Sequence, residues 1–489
     1  MCTRRPRATV ACGYPDGVTR SMTDRALVAV MLGRFARARW GFRFRTRARF
    51  DAWQRRRLRS FLRRISDAPF YRTAGSSEAL SSASSGRNRP SRRRASVVRL
   101  DQLPIVDKST LLEHFDELNT RGVRLTDALG VAMRAEHSRD FSPLIDGDLT
   151  VGLSSGTSGR RGAFLVSPHE RMLWAGTILA RVLDERSLGQ LLRPWRPPLR
   201  IAFFLRAGGN LYESVASSRI RFTFYDLTEP FECHLAALDA AVEQGTGPDV
   251  LVAPASVLGA LARHAKAGSL GIRPTLVVSV AEVLEPETVA GVRAAWGVPT
   301  RQVYQATEGL LGVSCEHGAL HLNEESVHVE REWLDAERTR FAPVVTDFDR
   351  RTQIIARYRL DDVLRVDPSA PERCTCGRVT AVLAAVDGRA DAVLRLPARD
   401  HPGVVEVFPD AVRRAMALGS DGYADWRIRQ TGIDLRVSLA DAAPGATTRV
   451  AAALGELFAH YGCAATVVDE PWVTLDPAAK VRRIVREDS

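Results

Sequence analysis

The stretch Leu153-Ser-Ser-Gly-Thr-Ser-Gly-Arg-Arg-Gly-Ala-Phe-Leu165 places six small residues, Ser154, Ser155, Gly156, Thr157, Ser158 and Gly159, between two apolar runs. Val151 and Leu153 lead into it, and Ala163-Phe-Leu-Val166 resumes a strand-like pattern beyond it. Glycines let backbone N–H groups turn toward a ligand, and small hydroxyls add donors without filling space. Such a loop can wrap a polyphosphate. It is not a Walker loop, because the G-x-x-x-x-G-K-[ST] spacing and its lysine are absent. Taken alone, the segment could equally be an ordinary Gly/Ser hairpin turn.

The 489 residues, 45% of them hydrophobic, suffice for two or three domains. No apolar run approaches the roughly 18 residues of a membrane helix; residues 26–32 are far too short. Seven cysteines without regular pairing fit a reducing compartment, the cytoplasm, better than a disulfide framework. The net charge of +12 is unevenly held, because residues 1–99 contain 25 Arg against 5 acidic residues, or +20, leaving −8 for the rest. That excess could attract nucleic acid or an anionic membrane surface. An arginine-rich leader of compositional origin is the preferred reading, so no nucleic-acid partner is expected. Lysine is scarce, occurring only at Lys108, Lys266 and Lys480.

Residues 1–21 and 76–96 lack apolar periodicity and are expected to form a leader and a flexible insertion, with Met22 or Met31 as alternative starts. Within a basic helical segment at about 34–65, the steps of three to five residues from Phe50 onward predict an amphipathic helix with its basic face in solvent. Asp107 is the expected N-cap of a helix carrying Leu111, Leu112, Phe115 and Leu118 on one stripe. Apolar runs at 199–205, 249–253 and 275–280 alternate with helical spacing such as 255–267, which follows Pro254. That alternation predicts an α/β layered domain. After residue 391, runs at 426–430 and 433–439 flank Gly432 as a hairpin, Val450, Leu454, Leu457, Phe458 and Tyr461 form a helical stripe, and 464–468 reads as a strand. The predicted architecture is α/β: an N-terminal region at 1–96, a large layered domain at 97–387, a hinge at 388–391 and a small α+β domain at 392–489.

Four more signatures follow the loop in order: Ser279-Val-Ala-Glu-Val-Leu284, Val303-Tyr-Gln-Ala-Thr-Glu-Gly309, Ile355-Ala-Arg-Tyr-Arg-Leu-Asp-Asp-Val363 and Gly388-Arg-Ala-Asp391. Singly, each fits a core aromatic, a solvated helix start or a turn. In this order across more than 230 residues, the five resemble the adenylate-forming superfamily of acyl-CoA synthetases and adenylation domains. The resemblance implies a large ATP-binding domain and a small mobile one. It gives the phosphates of ATP to Ser154, Ser155, Gly156, Thr157, Ser158 and Gly159, and the adenine to Ala281, Glu282 and a stacked Tyr304 beside Gln305. Thr307 would contact the α-phosphate, Glu308 would hold Mg²⁺, and Asp362 would take the ribose hydroxyls, with Arg365 also at the nucleotide. Arg389 and Asp391 would form the hinge. Lys480 would bridge the substrate carboxylate and the α-phosphate, joining Thr157 and Glu308 as catalytic residues. This chain departs from the pattern at Arg160 and Arg161 in place of a lysine ending the loop. Gln305 replaces a glycine, Ala392 the second hinge acid, and Ala479 the glycine before the lysine.

Cys315-Glu-His-Gly-Ala-Leu-His321 and Cys374-Thr-Cys-Gly-Arg378 form two tight Cys/His clusters that together suit a tetrahedral zinc pinning two loops. Cys315, His321, Cys374 and Cys376 are the expected ligands, His317 is the alternative to His321, and four reduced side chains without metal are the plain alternative. The pattern looks like the phenylacetate–CoA ligase branch of the superfamily. Leu103-Pro-Ile-Val-Asp-Lys-Ser and Glu113-His-Phe-Asp-Glu-Leu-Asn-Thr resemble a bacterial subgroup of that branch known only as adenylate-forming enzymes. The likeness runs from about residue 50 to the C-terminus. It implies activation of a small carboxylic acid by ATP, release of pyrophosphate, and transfer to a thiol, CoA foremost. ATP, Mg²⁺, CoA and a structural Zn²⁺ are the implied cofactors. An amine, hydroxyl or carrier-protein acceptor remains open, as does a non-catalytic binding protein. The acyl pocket is expected near Phe203-Phe-Leu-Arg-Ala-Gly-Gly-Asn-Leu-Tyr212, and a dimer is compatible with the sequence.

Overall fold

Short runs of β-branched and aromatic residues, too brief for helices and separated by helical spacing, put a parallel sheet at the centre of the chain. The computed structural model describes residues 22–72, 99–138, 140–153, 162–205, 217–389, 392–400, 402–418, 422–473 and 482–487. The expected leader and insertion, residues 154–161, residues 206–212, Asp391 and Lys480 lie outside the described residues. Two compact units divide the chain. One comprises Met1–Arg331, Val344–Leu360 and Asp367–Ala384; the other comprises Glu332–Pro343, Asp361–Val366 and Ala385–Ser489.

The first unit opens with α1 (Met22–Ala36), a π-helical turn (Arg37–Gly41) and α2 (Arg47–Leu62). Thr46 caps α2 by accepting from the Arg49 N–H. Phe44, Phe50 and Trp53 meet with ring centroids 5.2 to 5.7 Å apart, so the aromatics of the basic segment build a core of their own. Its basic face is left to solvent at Arg49, Arg55, Arg56 and Arg59, as expected, but not at its two half-buried arginines. Arg47 pairs with Glu324 at 2.6 Å and Arg57 with Asp349 at 3.1 Å, because acidic residues of distant segments face the helix. Helix α1 carries little sequence signal and is clearest from its packing. A Cβ at Gly176 would overlap the Met31 carbonyl oxygen and lie 3.0 Å from Arg34 Cβ, so only glycine permits this approach.

The helix capped by Asp107, α3 (Lys108–Glu113), is shorter than its apolar stripe. Phe115 and Leu118 are buried from the turns beyond it, where the Asn119 side-chain amide donates to the carbonyls of Phe115 and Val123, both at 2.9 Å. After α4 (Leu125–Ser138), strands β1 (Thr150–Leu153) and β2 (Ala163–Val166) pair antiparallel around the glycine-rich segment. Helices α5 (Pro168–Val182) and α6 (Glu185–Leu192) follow.

Strands β3 (Leu199–Leu205), β4 (Ile220–Asp226), β5 (Val250–Pro254), β6 (Leu276–Val280) and β7 (Thr300–Ala306) form the parallel sheet in the order β4-β3-β5-β6-β7. The α/β alternation read from the sequence is therefore present, with α7 (Phe231–Glu243), α8 (Ala255–Lys266) and α9 (Pro286–Trp296) as crossovers. Alternate residues serve opposite faces. Leu251, Ala253 and Val277 pack with Leu258, Leu261 and Val292, whereas Val250, Val252 and Val278 pack with Phe203 and, at their margin, Trp174. Strands β8 (Gly309–Ser314) and β9 (Leu320–Leu322) extend β7 antiparallel. Next come β10 (Val327–Trp333), β11 (Arg340–Asp347), β12 (Tyr358–Arg359), β13 (Asp362–Val366) and β14 (Val382–Arg389), and unit boundaries fall within β10, β11 and β14.

In the second unit, β15 (Leu394–Pro397) pairs with β16 (Val404–Val407), followed by α10 (Pro409–Leu418). The expected hairpin is β17 (Asp425–Thr431) with β18 (Asp434–Ala440), and Gly432 turns at φ 61°. Helix α11 (Ala446–His460) buries Val450, Leu454 and Phe458, whereas Tyr461 sits past its end, 36% exposed. Strand β19 (Thr466–Asp469) lies parallel to β18. The four residues of β20 (Ile484–Glu487), too short for a sequence signal, complete a sheet of order β19-β18-β17-β20.

Candidate functional site

Four of the expected nucleotide residues converge where β7 turns into β8. Ala306-Thr307-Glu308-Gly309 forms that turn, and the pairing slips between Tyr304 and Gln305. Bulges of this kind re-aim side chains. Tyr304 and Glu308 are buried, and Gln305 accepts from the Trp174 indole N–H at 3.2 Å. Next door, Ser279 of β6 pairs with Gln302, which carries the turn at Ala281 and Glu282 up beside Tyr304. Ala281 holds φ 64°, a region that costs a non-glycine residue about 1–3 kcal/mol and is found at functional sites. Glu282 fixes the turn: its N–H donates to the Val280 carbonyl at 2.8 Å, and its carboxylate accepts from the Ser256 N–H at 2.9 Å, at the start of α8. All six residues lie at the carboxyl ends of parallel strands, where α/β folds take their ligands.

The two strands that flank the glycine-rich segment in sequence, β1 and β2, both reach this turn. A Cβ on Gly152, in the strand leading into the segment, would sit 3.4 Å from Thr307 Cγ2. Arg350 fastens the strand leading out: its guanidinium donates to the Leu165 carbonyl at 3.0 Å and to the Thr307 carbonyl at 2.7 Å. Arg350 is buried and was missed in the sequence, where one more arginine in an arginine-rich chain gives no signal.

Behind the turn lies a cavity of about 80 Å³ whose lining includes Trp174, Gln305, Thr307, Asp347, Asp349 and Arg350. Arg34 of α1 ties three of the lining residues together, donating to Thr177 Oγ1 and Asp349 Oδ2, both at 2.8 Å, and closely to Ser326 Oγ. Glu170, also in the lining, accepts from the Arg351 N–H at 2.6 Å and the Thr352 N–H at 2.9 Å. Burial raises its carboxyl, but Arg350 and the backbone N–H groups outweigh burial and hold it below the ordinary range. At Asp347 the pull of Arg350 and of the Asp349 N–H is too weak to offset burial. Burial, with Asp349 beside it, pushes its carboxyl up to about 7.

Asp362, Arg365 and Arg389 belong to the second unit. Asp362 opens β13. Arg365 and Arg340 both reach the buried Asp387, at 3.3 and 3.1 Å, and Arg389 pairs with Asp361 at 2.8 Å. The phosphate loop, Asp391 and Lys480 lie outside the described residues.

The Cys/His clusters do come together. The ligand atoms of Cys315, His321, Cys374 and Cys376 all lie within 4.8 Å of one another, the spacing expected of a tetrahedron with metal–sulfur bonds of about 2.3 Å. His321, not His317, is the fourth member. Its Nδ1 faces the Thr380 carbonyl and hydroxyl at 3.2 and 3.1 Å, leaving Nε2 toward Cys376 Sγ at 3.4 Å. The Nδ1 contact with Thr380 would orient the ring for a metal at Nε2. Each cysteine cluster is a tight turn: Gly318 N–H donates to the Cys315 carbonyl and Gly377 N–H to the Cys374 carbonyl, with both glycines at φ 85°. A hydrogen bond from Cys376 draws the Cys315 thiol well below its ordinary range. The donor set and spacing fit Zn²⁺. Cys315, Cys374, Cys376 and Cys463 are free thiols.

No family model matches the sequence, and the search of curated proteins finds no match. Solved structures do match. The chain is similar to 2-hydroxyisobutyryl-CoA ligase in the postadenylation state in complex with 2-HIB-AMP, with a TM-score of 0.61 and 16% identity over 91% of each chain. The same ligase with R3-HIB-AMP gives 0.59 and 15% over 91% of each chain. Its open conformation with 2-HIB-AMP and CoA gives 0.53 and 16% over 91% of this chain and 93% of the other. At such identities the likeness establishes the fold. The mixed α/β architecture, with its large sheet-based part, is similar to the fold of these ligase structures and is the fold class expected from the sequence. No helix among the described residues is long and apolar enough to cross a membrane.

Proposed function

We propose that the chain is an adenylate-forming ligase of the phenylacetate–CoA ligase-like branch, activating a small carboxylic acid and passing the acyl group to CoA. The observation that carries this is that the strands flanking the glycine-rich segment meet the Thr307-Glu308 turn, β1 at Gly152 and β2 through Arg350. A loop that wraps phosphates must be held against the groups that meet the α-phosphate, and rigid elements do this best.

In the first step a substrate carboxylate oxygen bonds to the α-phosphorus of ATP and pyrophosphate leaves, giving the acyl-adenylate. In the second, a thiolate attacks the acyl carbonyl and AMP leaves. Both steps rest on positioning and charge neutralisation. Ser154, Ser155, Gly156, Thr157, Ser158 and Gly159 hold the phosphates, Ala281, Glu282, Tyr304 and Gln305 the adenine, and Asp362 and Arg365 the ribose side. Thr307 meets the α-phosphate and Glu308 offers its carboxylate to Mg²⁺, which neutralises phosphate charge when bound. Lys480 bridges carboxylate and phosphate in the first step. The segment 388–391, with Arg389 and Asp391, is the hinge between the two steps. Zn²⁺ on Cys315, His321, Cys374 and Cys376 is structural. The cytoplasm, which supplies ATP and CoA, is the proposed location.

An ATP–pyrophosphate exchange screen over short and aryl carboxylic acids tests the activation step. Acid-dependent exchange is expected; none with any acid would favour the binding-protein alternative. Adding CoA, an amine or a carrier-protein thiol to the acid so found then identifies the acceptor, with thioester to CoA expected.

A further inference from the structure

We propose that the cavity behind the Thr307 turn receives the end of a short acyl chain carrying a hydrogen-bond donor, an amino or hydroxyl group, and that Asp347 accepts from it. The proposal rests on the adenylation function and narrows its substrate class. Three carboxylates line the cavity, and two are fully engaged. Glu170 accepts from the N–H groups of Ser167, Arg351 and Thr352, and Asp349 is paired with Arg34 and Arg57. Asp347 differs. It is 7% exposed, and the only hydrogen bond to its carboxylate among the described residues comes from the Asp349 N–H to Oδ1, at 2.8 Å.

Its other oxygen faces room that exists because residue 309 is glycine: a Cβ there would lie 2.9 Å from Asp347 Oδ2. Gly309 follows Glu308 directly, so the open oxygen sits just behind the turn proposed to hold the α-phosphate. The cavity volume of about 80 Å³ compares with about 10–15 Å³ for one water on the same measure. A few heavy atoms fit, such as the tail of a short acid, and a CoA arm does not. A buried carboxylate oxygen without a donor is costly, and a site built to be hydrogen-bonded rejects analogues that lack the group. An alkyl end would leave Asp347 dry and unpaired; an ammonium or hydroxyl would satisfy it.

The test uses the full-length protein and three isosteric acids: β-alanine, 3-hydroxypropanoate and butanoate. Equilibrium binding of each radiolabelled acid is measured without ATP, and each is then assayed for pyrophosphate exchange. The wild type is expected to favour a donor-bearing acid over butanoate by about tenfold or more. Asp347→Leu, close to isosteric and apolar, should reverse that order in both measurements. Asp347→Asn keeps the shape and an acceptor, so it should retain preference for the hydroxy acid and lose it for the amino acid, telling the two donors apart. Equal wild-type handling of butanoate, or a preference that survives Asp347→Leu, overturns the proposal even if exchange is robust. Donor preference in binding, lost in Asp347→Leu, with no exchange for any acid would instead overturn the adenylation function and leave the pocket assignment standing.

Discussion

The Cys/His cluster and the arginine–carboxylate cluster around the cavity belong to the same unit and are both assembled from segments far apart in sequence. The first takes four candidate ligands from two short segments, within residues 315–321 and 374–376. The second draws Arg34, Arg57, Glu170, Asp347, Asp349 and Arg350 from four separate segments. Its members are the residue types this chain uses everywhere. Metal chemistry restricts residue identity and spacing, so the ligands stand out; a buried ion-pair network restricts only geometry. One region is thus legible and the other is not, although both are built to satisfy buried polar groups.

The largest expected effect falls on the legible region. Purified protein should contain about one equivalent of zinc, and Cys376→Ser should lose metal and stability together, because structural zinc contributes about 10–16 kcal/mol to folding in small zinc domains. Metal analysis paired with thermal melts checks this. Metal-free protein of unchanged melting temperature would make the four side chains ordinary reduced residues and erase the contrast.

The second region predicts a pH effect of definite sign. The Asp347 carboxyl is raised to about 7 in the folded chain, well above its unfolded value of about 3.9. The folded state therefore holds a proton that the unfolded state has lost, and stability falls as pH rises from about 4 to about 7, by up to about 4 kcal/mol. Glu170, held low, works in the opposite direction and loses its contribution only in acid. Asp347→Asn removes the penalty, so its stability relative to wild type should grow between pH 5 and pH 8 in denaturant titrations. A constant difference would show that Asp347 is ionised throughout and as well served as Glu170.

How much of this was open to the sequence follows the same division. The parallel strands, the helix after Pro254 and the hairpin at Gly432 were legible because period and turn chemistry are local. The 281–282 and 304–308 residues were found by motif order, yet nothing in the sequence signalled the left-handed Ala281 or the bulge at Tyr304. Helix α1 was not legible, since its burial depends on Gly176 in another helix. The pairing of Arg47 and Arg57 on α2 was hidden for the same reason: Glu324 and Asp349 lie roughly 300 residues downstream, and only the fold brings them to these two arginines.

Lys480, as the proposed bridge between carboxylate and α-phosphate, is expected to give an effect of about 10²-fold or more on rate, as for other preorganised charge donors. Lys480→Ala should nearly abolish pyrophosphate exchange and still convert a supplied acyl-adenylate to thioester. Exchange at the wild-type rate would remove Lys480 from the site. The smallest effect is expected from deleting residues 1–21, which have no apolar face to contribute to either region. Melting temperature and exchange rate should stay within error, and a clear loss of either would make the leader part of the fold.

The central claim is that a carboxylate oxygen bonds to the α-phosphorus of ATP, and labelling that oxygen tests it most directly. The acid selected by the exchange screen, carrying oxygen-18 in its carboxylate, is turned over with ATP, Mg²⁺ and CoA, and the AMP is analysed by mass spectrometry. One labelled oxygen per AMP is predicted, because the acyl–oxygen bond breaks when the thiol displaces AMP. Unlabelled AMP, or ADP with the label in phosphate, would contradict the account.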